Sequence, residues 1–255
     1  MNSNQTPIFG LLTDFGFDFA VASMKGVIVQ SFPDAQIIDI DHSLKKFSII
    51  SGAFIIEKSA RYFPADMIFI CVVDPGVGSE RDMLCVRAGS QWFLGPNNGI
   101  FHYLFKNQGV EVYRIKIDSF GEHSRTFHGR DLFTPAALKI ARGDRNFLEP
   151  LQHNKWILLD VLDQNTVITY VDSFGNIKTN IPITIEPQAH SFVNVLINGQ
   201  KHSIRWQSIF AEVPFGEPLC YKGSNDTLEI AVNNGSAQVY FNADVGSSVS
   251  IELKQ

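Results

Sequence analysis

The chain has 255 residues, of which 45% are hydrophobic and 18% charged, enough for one large domain or two modest ones with hydrophobic cores. Its formal net charge is −5 and its 21 Lys and Arg residues are scattered, which argues against a nucleic-acid-binding surface. No apolar stretch approaches the roughly 20 residues that span a bilayer, and no secretory signal opens the sequence, so we expect a soluble, cytoplasmic protein without membrane contacts. The three cysteines show no metal-type spacing.

The first 150 or so residues alternate short apolar runs with helical patterns. In chain order, these patterns predict a strand at PIFGLLTD, a helix at FAVASMKGVIVQSF, a strand at AQIIDID, a helix at SIISGAFIIEKSARYF, a strand at MIFICVVD, a hairpin at MLCVRAG and QWFLGP, and helices at GIFHYLFKNQ and TPAALKIARG. Near-continuous apolar strands separated by helices are typical of a parallel sheet that is covered on both faces. We therefore expect an α/β N-terminal domain, residues 1–160, with a central, mostly parallel sheet.

The pattern changes after about residue 160. From there on, short segments of alternating hydrophobicity follow one another, divided by Gly, Asn and Pro turns. This arrangement predicts a smaller, all-β, barrel-like C-terminal domain over residues 161–255. The boundary is expected within LEPLQHNKWILLDVLDQN.

Two carboxylates follow predicted strands. Asp14 ends the first strand in LLTDFG, and Asp74 ends the third in CVVDPGVGS. A single Asp at such a position commonly caps the next loop or helix. Ligands of open α/β sheets bind beyond the carboxyl ends of the strands, however, and here each Asp is followed by glycine within two residues. The pair therefore favours a binding site at this edge of the sheet.

Basic residues near this edge leave two interpretations open. Arg81 follows Asp74 by seven residues, within reach of a loop that folds back; the pair is either a plain surface ion pair or, in a cleft, a device that holds and polarises a water. TFHGRD places His128, Arg130 and Asp131 within four positions, just before a predicted helix. This hexapeptide is either a charged helix start or a site in which His128 serves chemistry.

Similar alternatives apply to the turn motifs. In VDSFGNIKTNI, Asp172 suits ribose hydroxyls, Phe174 suits stacking on a flat base and Asn176 suits a polar base edge, although a hairpin turn explains the stretch equally well. KGSNDTLEIAVNNGSA (222–237) has the same ambiguity, and GPNNGIF (95–101) is a turn cluster that opens a helix.

Several common sites are not indicated. The DFG at Asp14 lacks the glycine-rich loop, strand lysine and catalytic loop of kinases. There is no Walker A sequence, no G-x-G-x-x-G after a strand and no H-E-x-x-H, and no histidines are paired at i, i+4. We therefore expect neither a metal nor a cofactor.

Seven segments together resemble one family. LLTDFG, MKGVI, VVDPGVGSER, GPNNGIF, TFHGRDLFTPAA, VDSFGNIKTNI and LEIAVNNGSA occur in the order found in the S-adenosylmethionine (SAM) hydroxide adenosyltransferases. These enzymes are adenosine-forming SAM hydrolases related to the fluorinases and chlorinases. The resemblance covers nearly the whole chain, and seven ordered motifs are much more specific than any one of them.

The resemblance implies an α/β domain followed by a β-barrel-like domain, and a homotrimer that holds SAM between the N-terminal domain of one subunit and the C-terminal domain of the next. It implies a catalytic triad of Asp74, Arg81 and His128, in which either Asp74 or His128 is the base. The implied substrate contacts are Asp14, Asp172, Phe174, Asn176, Ser224, Glu229 and Val232. SAM is then the substrate, and no cofactor is needed. Phe47 is either an aromatic wall over the nucleoside or a core residue.

The resemblance also bears on the reaction. Halogenating relatives lack the triad and carry an inserted loop before PNNG, whereas only RDMLCVRAGSQWFL joins GSE to GPNNG here. Both features favour hydrolysis of SAM to adenosine and methionine by water attack at the ribose C5′. The alternatives are a SAM-dependent nucleophilic halogenase, a SAM- or adenosine-binding sensor with little turnover and, less well supported, a methyltransferase.

Overall fold

The computed structural model describes residues 6–252 and divides the chain into two compact units, Met1–Leu158 and Leu159–Gln255. The division falls in the stretch where the sequence changes from mixed helix and strand patterns to strands alone. Each unit contains one seven-stranded sheet.

The sheet of the first unit is mixed. Its strands are β1 (Ile8–Thr13), β2 (Gln36–Asp41), β3 (Ile68–Val72), β4 (Met83–Ala88), β5 (Gln91–Pro96), β6 (Glu111–Ile115) and β7 (Leu148–Pro150), in the order β2-β1-β3-β5-β4-β6-β7. The pairings β1–β2, β1–β3 and β3–β5 are parallel, whereas β4–β5, β4–β6 and β6–β7 are antiparallel. The expected mostly parallel sheet is therefore correct for one half only.

A tight turn explains the antiparallel pairing of β4 with β5. Strands β4 and β5 are separated only by Gly89 and Ser90, and Gly89 has a φ of 59°. Such a two-residue connection forces antiparallel neighbours, because a parallel pair needs a long crossover. The connections from β1 to β2 and from β2 to β3, in contrast, run through helices.

Three helices of the first unit are α1 (Phe19–Ser31), α2 (Ile49–Ser59) and α3 (Thr134–Ala141). The side chain of Asp18 caps α1 by accepting the Ala20 N–H, and α1 buries Val21, Met24 and Ile28 on one face. The core of the unit lies between these residues, α3 and the buried strand β3.

The predicted helix at GIFHYLFKNQ is wrong, since only a 3-10 turn forms there, at Leu104–Lys106. The side chain of Asn98 accepts the Ile100 N–H, and Gly99 has a φ of 100°. Local side-chain bonds to the backbone and left-handed glycine both compete with a regular helix at this point.

The second unit carries strands β8 (Ile168–Val171), β9 (Ile177–Pro182), β10 (Phe192–Ile197), β11 (Gln200–Trp206), β12 (Pro218–Lys222), β13 (Thr227–Val232) and β14 (Val249–Glu252), with short helices α4 (Asp160–Gln164) and α5 (Ala237–Tyr240). The strand order is β14-β10-β11-β12-β13-β9-β8, and only β11–β12 is a parallel pairing. An isolated bridge between Val167 and Ser248 joins the two edges of this sheet. The sheet is therefore curled towards closure, in agreement with the barrel-like prediction.

Among residues 6–252, no helix has the length and apolar character needed to cross a membrane. Within the same range, no group of three or more His, Cys, Asp and Glu side chains is arranged to hold a metal ion. The three cysteines, Cys71, Cys85 and Cys220, are buried and unbridged, and burial raises the pKa of each thiol.

Candidate active site

Asp74 and Arg81 form a buried ion pair just beyond the carboxyl end of β3. The Nε of Arg81 donates to Oδ1 of Asp74 at 2.6 Å, and its Nη2 donates to Oδ2. The side chain of Arg81 is only 10% exposed and that of Asp74 only 3%. Burial lowers the pKa of Arg81 to about 10. A bidentate pair of this kind holds both groups in a fixed geometry. The structure thus favours the cleft interpretation of this pair over the surface one.

His128 joins this pair. Its Nδ1 lies 3.3 Å from Nη2 of Arg81, and its side chain is buried. Because a guanidinium can only donate, Nδ1 must carry the lone pair, and the hydrogen of the neutral ring is on Nε2. Burial first, then the charge of Arg81, lowers the pKa of His128 below its ordinary value. His128 is therefore neutral at pH 7.

Two loops must meet to build this trio, and Gly78 allows them to do so. A Cβ at Gly78 would lie 2.7 Å from the backbone oxygen of Arg125, and the φ of Gly78 is 80°. Only glycine combines that conformation with such a close approach. The 74–81 loop can therefore contact the segment that leads into His128.

A π-helical turn, Gly129–Phe133, follows His128 directly. Such turns interrupt regular helices and frequently occur at functional sites. The hydroxyl of Thr134 donates to the Gly129 carbonyl, and the ring of Phe133 lies 5.9 Å below the guanidinium of Arg81. The start of α3 thus supports both Arg81 and His128.

The other charged residues of TFHGRD pair with each other. The Nε of Arg130 donates to Asp131 at 2.5 Å, and its guanidinium lies over the ring of Phe127. Asp131 also accepts the backbone N–H of Ser124 at 2.9 Å. This arrangement assigns Arg130 and Asp131 to loop structure.

Asp14 is buried at the end of β1, where its Oδ2 accepts the backbone N–H of Phe47 at 2.7 Å. Phe47 has a φ of 67°, a costly conformation for a residue other than glycine, and its side chain is 66% exposed. The core interpretation of Phe47 is therefore wrong. The bond from Asp14 instead holds an exposed aromatic ring beside this edge of the sheet.

A hydrogen-bonded chain begins at buried Thr13, next to Asp14, and reaches the partly exposed Asp39 and Lys25; the sequence patterns did not predict it. The Oγ1 of Thr13 lies 2.7 Å from Nδ1 of His42, and Nε2 of His42 lies 3.0 Å from Asp39, which also accepts from Lys25 at 2.7 Å. His42 is fully buried. The alternation of β2, which places His42 directly after an acidic strand end, was the available signal.

The PNNG motif has a structural role. Asn98 donates to the Val73 carbonyl at 2.8 Å, and Asn97 bonds to the backbone of Lys155 and Ile157, both at 3.0 Å. The Asn98 bond fixes the end of β3 next to Asp74, and the Asn97 bonds hold the segment that follows β7. The motif positions the site without contributing a free side chain to it.

In the second unit, Asp172 organises the turn between β8 and β9. Its Oδ1 accepts the N–H groups of Phe174 and Asn176 at 3.0 and 2.9 Å, and its Oδ2 accepts from the Asn176 side chain at 3.0 Å. Phe174 projects from this turn and is 78% exposed. The turn interpretation is thus correct for Asp172, while the exposed ring leaves Phe174 available for a ligand.

The NNGS turn packs against this hairpin. A Cβ on Gly175 would lie 2.1 Å from Oγ of Ser236, and the N–H of Gln238 donates to the Gly175 carbonyl at 3.0 Å. The two motifs that seemed ambiguous in sequence are therefore adjacent in the fold.

The remaining expected contacts of the second unit differ in exposure. Ser224 is exposed, whereas Glu229 and Val232 are each 4% exposed and Val232 packs in the core. Glu229 pairs with Lys178 at 2.7 Å and accepts from Tyr221 at 3.2 Å, and Lys178 lies 3.8 Å from Asp172. Burial, followed by Glu229, raises the pKa of Tyr221. Asp172, Asn176 and Glu229 therefore belong to one polar cluster, and Ser224 and Val232 have no side-chain hydrogen bond to it.

Comparisons with known proteins agree with these motifs. Two family models match: the SAM hydroxide adenosyltransferase N-terminal domain at residues 9–149 and the C-terminal domain at residues 166–250. A (R)-S-adenosyl-L-methionine hydrolase of Thermus thermophilus is 31% identical over 91% of this chain and 94% of its own length. One from Methanocaldococcus jannaschii is 35% identical over 71% of this chain and 69% of its own.

A fluorinase from an Actinoplanes species is more distant, at 24% identity over 98% of this chain and 99% of its own length. Among solved structures, an uncharacterized conserved protein from Thermotoga maritima superposes with a TM-score of 0.85, at 30% identity, over 96% of this chain and 100% of its own. The family models alone match more than half of the sequence. This chain belongs to the SAM hydroxide adenosyltransferase family.

Proposed function

We propose that this protein hydrolyses SAM to adenosine and L-methionine by attack of water at the ribose C5′. The observation that carries the proposal is the buried, hydrogen-bonded trio of Asp74, Arg81 and His128 beyond the carboxyl end of β3. Relatives named as SAM hydrolases are 30–35% identical, whereas fluorinases are 24% identical.

The reaction depends mainly on the position of the attacking water. The sulfonium of SAM leaves as a neutral thioether, so the nucleophile has only to lie in line with the C5′–S bond. Arg81 is held by Asp74 and His128, and its Nη1 is buried without an acceptor in the described part of the chain. A buried donor without a partner is rare in proteins, and this one suits the oxygen of a water molecule. The trio acts without a metal or a cofactor.

Asp14 and the second unit hold the substrate in this proposal. Asp14 and Asp172 bind the ribose or methionine polar groups, and the exposed ring of Phe174 stacks on adenine, beside Asn176 and Ser224. Because Glu229 and Val232 are buried, Glu229 acts through its partner Lys178, and Val232 supports the wall of the site. The resemblance to trimeric relatives supports a homotrimer in which Asp14 of one subunit and Phe174 of the next serve the same substrate.

The configuration of the substrate is the next part of the proposal. The relatives' names specify the (R) form of SAM, so we assign the same sulfonium configuration to the substrate of this protein. An enzyme that aligns water with one C5′–S bond discriminates between sulfonium diastereomers, because inversion at sulfur moves the methionine chain.

Product analysis tests the function. The purified protein is incubated with separated (R)- and (S)-SAM, with and without chloride or fluoride, and the products are identified by mass spectrometry. Adenosine and methionine from the (R) form, unchanged by halide, are expected. A 5′-halo-5′-deoxyadenosine would indicate a halogenase, S-adenosylhomocysteine a methyltransferase, and binding without product a sensor; each would contradict the proposal.

A further inference from the structure

The hydrolysis proposed above releases one proton for each turnover. A lone pair of water forms the O–C5′ bond, the C5′–S electron pair returns to sulfur, and the oxygen that was water must then lose a proton to become the 5′-hydroxyl of adenosine. That proton has to reach solvent from a buried position. The residues around the trio determine which group receives it.

Asp74 and His128 are poor acceptors in this geometry. Both carboxylate oxygens of Asp74 already accept from the positively charged Arg81, and so does Nδ1 of His128. The remaining ring nitrogen of His128, Nε2, carries a hydrogen and can only donate. Burial and the charge of Arg81 also lower the pKa of His128. His128 is thus arranged to hold a water oxygen through Nε2–H.

His123 supplies a free lone pair nearby. Its ring centroid lies 6.2 Å from that of His128, with the two planes at 71°. Its Nδ1 lies 3.0 Å from the backbone oxygen of Gly121, which can only accept, so Nδ1 carries the hydrogen and Nε2 the lone pair. The rings are too far apart for a direct hydrogen bond, a separation that one water molecule bridges.

The surroundings of His123 allow it to pass a proton to solvent. The side chain is exposed, whereas His128 is buried. The titratable and charged groups around it are neutral His128 with Arg81 behind it, the ion pair of Asp131 with Arg130, and its loop neighbours Glu122 and Arg125. The pKa of Asp131 is lowered chiefly by its hydrogen bond from Arg130, and His123 is the smallest of the contributions that lower it.

We propose that Nε2 of His123 accepts the proton of the attacking water through one bridging water molecule and passes it to solvent, while His128 holds the attacking water. This proposal rests on the hydrolysis proposed above. It assigns the base to a residue outside the trio and gives the trio the task of placement.

The test compares His123→Gln and His123→Ala with wild type in single turnovers at saturating SAM, so that product release does not hide the step. The control is His153→Gln, an exposed histidine of the same unit that lies against Trp156. Loss of a proton acceptor is expected to slow the step about 100-fold with KM unchanged. Added imidazole restores part of the rate to His123→Ala, and the rate of His123→Gln depends less steeply on pH than that of wild type.

The outcomes separate the two proposals. If wild type makes no adenosine, the proposed function fails. If wild type is active and His123→Gln keeps its rate and pH profile, the role of His123 is wrong. A slow His123→Ala that imidazole does not rescue, and that keeps the wild-type pH profile, indicates a structural role and also overturns the inference. Circular dichroism and thermal unfolding confirm that the variants are folded.

Discussion

The two polar clusters of this protein are built in opposite ways. In the first unit, Asp74, Arg81 and His128 come from positions up to 54 residues apart, and all three side chains are at least nine-tenths buried. In the second unit, Asp172 and Asn176 are four residues apart in one turn, from which Phe174 projects into solvent. Burying charges costs desolvation free energy, but long-range contacts then hold them in the fixed geometry that a catalytic site needs. An exposed ring on a local turn is suited instead to binding a substrate.

The largest expected effect comes from Arg81→Gln. This change leaves the Asp74 carboxylate, 3% exposed, without its cation, and removes the donor to His128. We expect adenosine formation to fall at least 1,000-fold, as for loss of a preorganised donor, and unfolding free energy to fall by about 3 kcal/mol. Single-turnover assays and urea unfolding measure both.

The matched control for that variant is Arg114→Gln, since Arg114 forms exposed ion pairs with Asp82 and Glu149. Exposed pairs contribute little to stability, so this variant should resemble wild type. Equal losses in the two variants would show that the trio has no special role.

Gly78→Ala tests whether the two loops must touch. The added methyl group would lie 2.7 Å from the Arg125 oxygen, so the 74–81 loop must move away from the segment carrying His128. A displacement of this kind is expected to slow the reaction about 100-fold. The control is Gly89→Ala, because Gly89 also has a positive φ, but a Cβ added there would meet no heavy atom within 4 Å. A rate loss common to both variants would reflect backbone strain alone.

Phe174→Ala tests recognition in the second unit. Base–aromatic stacking contributes about 1–3 kcal/mol, so we expect KM to rise about tenfold while the rate at saturating SAM stays unchanged. Since the ring is 78% exposed, thermal stability should not change. Phe215→Ala, at a ring that is 82% exposed, should leave KM as it is. A lower saturating rate in Phe174→Ala would place this ring in the chemistry.

The smallest expected effect is a pH dependence of stability. Burial and Arg81 lower the pKa of His128 below 6.5, so the unfolded ring binds a proton at a higher pH than the folded ring does. The stability that comes from neutral His128 is fully present above pH 6.5 and is lost as the pH falls towards the folded-state pKa. Unfolding free energies between pH 7 and 5 should fall less steeply in His128→Asn than in wild type. An equal slope would contradict the lowered pKa.

The strands and helices of this chain follow from local patterns more readily than its pairings do. The apolar runs correctly predict β1, β2 and β3, and the turn residues correctly predict a second unit built mainly of strands. In the antiparallel half, the hairpin of β4 and β5 was predicted correctly, whereas β6 and β7 were missed. These two strands are short and half exposed, and the period and length of their apolar residues do not distinguish them from loops.

The site could be predicted only where a residue's neighbours are close in sequence. The turn at Asp172 could be predicted from the five residues 172–176 alone. The contact of Arg81 with His128, 47 residues away, was reachable only through the family resemblance. For the hydrogen-bonded chain from Thr13 through His42 to Asp39, the acidic end of β2 before His42 was the available signal, but it does not predict the contacts, since burial of a histidine is decided by tertiary packing.

The central claim is that water, placed by the trio of the first unit, attacks the ribose C5′. It is tested most directly by running one turnover of (R)-SAM in H₂¹⁸O and locating the label by mass spectrometry. We predict adenosine carrying one ¹⁸O at its 5′-hydroxyl and unlabelled methionine. Unlabelled adenosine, or 5′-methylthioadenosine formed by cleavage on the methionine side of sulfur, would contradict this claim.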